Sequence, residues 1–177
     1  REGQIPVPVF RMLGSDPIYQ YDNCVGGALQ GVISLEPVYG DSGGSRQWVE
    51  WFFRSMFEEP CLAFAYTQAG QENSFTWGSM EKGLNIQIPL MANRFRKGEI
   101  RVETLTRSGE WFRENFPVTP PTAVTALTDY REKDRKTVWY NSRYYRTNLL
   151  WEGGDLHSFF RKQYRELPSV VHRPLHE

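Results

Sequence analysis

Hydrophobic positions recur along this chain with two different periods, and the period decides which element each stretch predicts. Residues 47–58 carry Trp48, Phe52 and Met56 at i, i+4 and i+8, with Val49, Phe53 and Phe57 in an adjacent row. So broad an apolar stripe predicts a helix packed on a sheet. Residues 77–97 give the cleanest helical period, with Trp77, Met80, Leu84, Ile88, Met91 and Phe95 spaced 3, 4, 4, 3 and 4 apart. Pro89 is expected to kink or break that helix, because it lacks a backbone donor and crowds the preceding turn. A short third helix is expected over 109–115.

Strands are expected at 7–12, at 31–38, from Leu62 onward, at 99–105 and at 123–128. The run LAFAY from Leu62 is apolar at every position, which is the habit of a strand covered on both faces. These strands start about 24–37 residues apart, with helical patterns in at least three of the intervals. That spacing belongs to βα units. The expected class is therefore α/β, with parallel β/α units in a partial barrel or open sheet over 1–130. An antiparallel, β-rich segment is expected over 131–177, with one long strand or a hairpin near Asn141-Ser142. The strands from 62 and from 99 should be parallel neighbours joined by the helix 77–97 in a right-handed crossover. Too few units are present to close a barrel of about 250 residues. A large apolar surface should therefore stay uncovered, waiting for the remainder of a longer polypeptide or a partner chain.

Composition narrows the functions. The 177 residues hold 21 basic and 21 acidic side chains, so the formal net charge is zero. Nucleic acid and anionic membranes demand a basic excess or face, and neither partner is expected. No apolar run reaches the roughly 18–20 residues that span a bilayer, so a soluble chain of open compartment is expected. The three histidines fall in the last 21 residues, away from the central β/α region. No metal set and no Ser-His-Asp arrangement is visible there, and no cofactor motif of the Gly-rich phosphate-binding kind is present. Cys61 reads as a core thiol, and whether it pairs with Cys24 stays open.

The chemistry-bearing residues cluster after the expected strands. Carboxyl ends of parallel strands are where β/α folds place ligands. Arg11 and Asp16 follow the first strand, Gln71, Glu72 and Asn73 follow LAFAY, and Glu103 and Glu110 follow the fourth. Paired carboxylates beside aromatic rings are the equipment of glycoside hydrolysis, in which one protonates the leaving oxygen and the other attacks or activates water. On that pattern Asp16 and Glu72 are the acid and base or nucleophile candidates, with Glu103 third. Arg11, Tyr19, Gln71 and Asn73 would hold sugar hydroxyls, and Trp77 or Trp111 would form a platform. Tyr140, Asn141 and Arg143, within YNSRYYRTN, offer a second group of sugar-binding types. The plainer alternatives are a helix N-terminus capped by Asn73 or Ser74 with Glu72 favoured by the dipole, and Arg101 and Glu103 solvated on an edge strand.

With FRMLGSDPIYQYD, FAYTQAGQENSFTW, ETLTRSGEWFRENFP and KTVWYNSRYYRTNLLWEG in view, the chain resembles a group of bacterial carbohydrate-active proteins. They are built on a (β/α) barrel and are related in fold to polysaccharide deacetylases and α-mannosidase-like hydrolases. The resemblance implies the last βα units of such a barrel and the start of a β-rich domain. It implies carbohydrate as the partner and a glycoside hydrolase, or a fragment of its catalytic barrel, as the function. A deacetylase would need a metal-binding Asp-His-His set, which is not visible. Two further readings stand beside it: a non-catalytic carbohydrate-binding module using the same rings and amides, and a structural interaction domain.

Overall fold

The computed structural model describes residues 8, 14–19, 32–71 and 74–162. Among them the order is α1 (Arg46–Phe57), α2 (Trp77–Arg96), α3 (Leu105–Asn115), β1 (Thr122–Ala126), β2 (Lys136–Asn141), β3 (Tyr145–Glu152) and β4 (Asp155–Lys162). The four strands form one antiparallel meander in the order β1-β2-β3-β4. This corrects the expected α/β class: no parallel β/α unit occurs among the described residues. β1 pairs with β2 on either side of residues 130 and 131.

The expected parallel neighbours are not strands. Leu62 has a φ of 70°, a left-handed conformation that interrupts an extended run at its start. It makes a single isolated bridge with Thr122, and residues 64–71 take no regular structure. The apolar run is covered on one side alone. Phe64 packs on Trp111, Phe112 and Phe116 at centroid distances of 5.5, 5.9 and 5.4 Å, while Ala63 and Ala65 face solvent. Residues 100–104 are likewise irregular, and Thr104 starts α3 by accepting a hydrogen bond from the Arg107 amide at 3.3 Å. The expected strand over 31–38 reduces to one bridge, Ser15 with Ser34. The strand expected at 7–12 lies outside the described residues apart from Pro8.

The helices and the hairpins follow their local chemistry. Trp48, Val49, Trp51, Phe52, Phe53 and Met56 of α1 are all buried, so the broad stripe is the core's main supply. Trp48 stacks on Phe52 at 4.8 Å and 9° between planes, and Trp51 lies 5.9 Å from Trp48. Ile18, Ile33, Leu35 and Ala126 close the same core from the loops and from β1. The β2–β3 turn is fixed by Ser142, whose Oγ accepts from the amides of Tyr144 and Tyr145 at 3.2 and 3.1 Å. Gly153 and Gly154 join β3 to β4 with φ of 60° and 91°, the left-handed pair that a two-residue hairpin turn requires.

Helix α2 runs its full length through Pro89. The carbonyl that Pro89 cannot serve belongs to Asn85, and both residues are exposed, so water replaces the lost bond. The buried residues of this helix are Gly83 and Gln87, not its large apolar ones. Gln87 Nε2 donates to Leu35 O and to Gly43 O, both at 2.7 Å. Gly83 lets the helix lie directly on Pro37. The apolar stripe points elsewhere: Trp77, Ile88 and Phe95 are 59%, 53% and 54% exposed.

A Cβ at Gly83 would sit 2.3 Å from Pro37 O, whereas one at Gly78 would meet nothing within 4 Å. Gly83→Ala should therefore destabilise by about 1–3 kcal/mol despite its better helix propensity, because the backbone contact has to open. Gly78→Ala, in the same helix, should be neutral or stabilise by up to about 1 kcal/mol. Urea unfolding of the two variants checks the contrast, and equal effects would contradict it.

Candidate functional site

Asp16 sits at the junction of the core loops and α1 and is 2% exposed. Its placement begins locally, with Asp-Pro opening a turn and the aspartate side chain folding back on the amides that follow. Oδ1 accepts from the amides of Ile18 and Tyr19, both at 2.7 Å, and Oδ2 accepts from Trp48 Nε1 at 3.0 Å. Its own amide donates to Ile33 O at 2.9 Å, and Leu35 N donates to Gly14 O at 2.7 Å. Burial raises the Asp16 carboxyl above the ordinary aspartate value, against the pull of these three donors and of Arg131.

From this point two bonds reach the sheet. Pro17 O accepts from Trp139 Nε1 at 2.8 Å, and the Tyr19 hydroxyl donates to Asp129 Oδ2 at 2.7 Å. Asp129 in turn organises the loop between β1 and β2. Its Oδ1 accepts from Arg131 N at 2.9 Å, and its Oδ2 from Lys133 N at 3.1 Å and Arg135 N at 3.2 Å. The guanidinium groups of Arg131 and Arg135 lie 4.2 and 5.0 Å from the Tyr19 ring centroid. Arg135 also pairs with Glu152 at 2.7 Å. Tyr130 packs edge-on to Tyr19 at 5.6 Å, and burial with the nearby Asp16 charge pushes its phenol up to about 12.

The sheet has two unlike faces. Cross-strand partners share a face and neighbours alternate. The pairs Trp139↔Asn148 and Ala126↔Thr137 therefore lie on the inner side, where all four residues are buried. The pairs Val138↔Leu149, Tyr140↔Thr147 and Lys136↔Trp151 lie on the outer side, with Tyr145 beside them. Val138, Tyr140, Tyr145, Leu149 and Trp151 are half-buried there. Tyr140 and Tyr145 pack at 5.4 Å with 34° between their planes. Among the described elements α1 is the one helix in contact with a strand, and it meets β1. At the β1 edge, Pro60 and Cys61 cover the outer face through bonds from Thr125 Oγ1 and Ala123 N, both 2.8 Å. Among the described residues no helix lies over the outer face of β2 and β3.

The described residues singled out from sequence take several roles. Asp16 and Tyr19 are internal supports. Glu103 accepts from Ser108 Oγ at 3.1 Å and pairs with Arg101 at 3.6 Å, and it shares no hydrogen-bond partner with Asp16. Gln71 Nε2 donates to Glu36 Oε2 at 2.8 Å. Trp77 is exposed at the start of α2, and Trp111 lies under the Arg101 guanidinium at 4.9 Å. Tyr140 and Asn141 end β2, and Arg143 packs over the Tyr144 ring at 4.5 Å in the adjacent turn. Arg11, Glu72 and Asn73 lie outside the described residues. Asp129 was not among the candidates read from sequence. The signal was an aspartate two residues ahead of a chain reversal, which favours bonds to the amides that follow it. Among the described residues no three His, Cys, Asp or Glu side chains are grouped to hold a metal, and no helix is long and apolar enough to cross a membrane. No family model, curated protein or solved structure matches the chain.

Asp16 makes stability depend on pH in a defined direction. Between the ordinary aspartate value of 3.8 and its raised folded value, the folded chain keeps a proton that the unfolded chain has released. Stability conferred by the protonated form is therefore present below that window and is lost as pH rises through it. Asp16→Asn removes this dependence and should cost about 1–3 kcal/mol by disrupting the donors it serves. In urea unfolding at several pH values, the wild type's advantage over the variant should shrink as pH rises above 3.8. An advantage that grows would contradict the direction.

Proposed function

We propose that the chain is a carbohydrate-binding module that uses the outer face of its sheet. The observation that carries this reading is the group of half-exposed rings of Tyr140, Tyr145 and Trp151 on one open face. Sugars offer flat C–H faces to aromatic rings and hydroxyls to amides and guanidinium groups. Arg143, exposed in the turn that follows β2, supplies the second kind of group, while Asn141 alternates to the inner side. The rings are held by strand pairing, so little side-chain freedom is lost on binding, which favours affinity. Hydrolysis by paired carboxylates is less well supported, because Asp16 spends both oxygens on internal donors and Glu103 pairs with Arg101.

Titration with a panel of soluble polysaccharides, followed by calorimetry, tests the reading. Trp151→Ala and Tyr145→Ala should each weaken binding by about tenfold, equivalent to roughly 1.4 kcal/mol, with far-UV circular dichroism unchanged. Wild-type affinity in both variants would overturn it.

A second reading, an interaction domain completed by the remainder of a longer polypeptide or by a partner chain, is favoured by α2. Its exposed Trp77, Ile88 and Phe95 share one stripe with Leu84 and Met91, and single scattered apolar residues do not form such a line. An accessible stripe should bind an apolar dye such as anilinonaphthalene sulfonate. Ile88→Glu should reduce that fluorescence several-fold, and an unchanged signal would remove this support.

A further inference from the structure

A cleft of about 170 Å³ opens between α1 and the 128–132 loop, on the flank of the Asp129 network and away from the outer face of the sheet. Gln47, Trp51 and Arg54 line it from α1, at i, i+4 and i+7 and so on one side of the helix. Tyr130 and Glu132 line it from the loop. Its floor is aromatic, because Trp51 and Tyr130 pack at 4.9 Å and the indole N–H is already spent on Thr128 O at 2.8 Å.

The walls carry unspent polar groups. Asp129 is saturated by the Tyr19 hydroxyl and three amides. By contrast, the side chains of Gln47, Arg54 and Glu132 make no hydrogen bond or ion pair among the described residues. The neighbouring cation Arg46 pairs with Glu50 at 3.1 Å, and among the described residues lining the cleft Arg54 is the cation. Glu132 is presented by a left-handed backbone of φ 56° in the loop that Asp129 holds, so its position is built rather than incidental.

We infer that this cleft takes one sugar acid, with its carboxylate on Arg54, its hydroxyls on Glu132 and Gln47, and its C–H face towards Tyr130. The substrate class rests on the carbohydrate reading above, and the charge requirement comes from the cleft. A guanidinium matches a carboxylate in a two-point, charge-assisted bond. A carboxylate on the opposite wall accepts hydroxyl protons and repels a second anion. The two surfaces would divide the work. The sheet would engage a chain of sugars through rings, and the cleft would read one acidic residue or chain end.

The probes are glucuronate and glucose, titrated by calorimetry into the 177-residue chain and followed at the Trp51 indole N–H cross-peak. Glucuronate should bind more tightly than glucose and shift that peak. Arg54→Gln should weaken glucuronate binding by about tenfold or more, as loss of a charged two-point bond implies. Glu132→Gln should weaken both probes, and Trp151→Ala should weaken neither. Absence of saturable glucuronate binding, equal binding of the two probes, or an unaffected Arg54→Gln variant would each overturn the inference. Glucuronate binding without any polysaccharide binding would overturn the sheet reading and uphold the cleft. Polysaccharide binding that depends on Trp151, without glucuronate binding, would overturn the cleft alone.

Discussion

A buried carboxylate held by N–H donors, with no ion pair to it among the described residues, is the constraint on which this fold turns. Removing the Asp16 charge from water is costly, and three N–H donors within 3.0 Å offset part of that cost. Because those donors come from the 16–19 turn and from α1, neither can move without leaving the other unsatisfied. The same turn reaches the sheet through Pro17 O to Trp139 and through the Tyr19 hydroxyl to Asp129. One side chain thus fixes the loop against the main helix, and its neighbours fix both against the strands. Low local dielectric strengthens each bond and raises the penalty for losing one, so the network behaves as a unit.

This anchoring explains the unequal faces of the sheet. Inside, Asn148 Nδ2 donates to Thr137 Oγ1 at 2.6 Å and to Val138 O at 3.3 Å, which satisfies a polar pair buried between β2 and β3. The inner side is closed by α1 and the core loops, so the strands are held flat against a rigid support. The outer side of β2 and β3 inherits that rigidity, and no described helix packs on it. Helix α2 shows the same economy. It is attached by a glycine lying on Pro37, by two hydrogen bonds from Gln87 to backbone carbonyls and by Ile86, Leu90 and Met91 packed on the core, leaving Trp77, Ile88 and Phe95 exposed.

Much of this was legible in the sequence where a single local rule governed. The stripe Trp48-Phe52-Met56 gave α1 its buried face, the period of 77–97 gave α2, and the polar break at Asn141-Ser142 gave the β2–β3 hairpin. The parallel sheet was not there to be read. Continuous apolar runs such as LAFAY look alike whether two layers or one small cluster covers them, and here Phe64 meets the aromatic side of α3 while the alanines stay wet. The left-handed Leu62, a non-glycine residue, carries no sequence signal at all. Asp16 drew attention as a carboxylate, but its neighbour Pro17 was the better guide, because Asp-Pro predicts a turn that consumes the carboxylate locally. Asp129 drew no attention at all, yet it binds the backbone amides of Arg131, Lys133 and Arg135.

The central claim is that Asp16 and Trp48 act as one energetic unit rather than as two independent core residues. A double-mutant cycle with Asp16→Asn, Trp48→Phe and the pair, read by urea unfolding at neutral pH, measures this directly. The anchoring bond of 3.0 Å between them predicts that the two losses are not additive. The coupling energy should be about 1 kcal/mol or more. Losses that add to within about 0.3 kcal/mol, the behaviour of unconnected sites, would contradict the account.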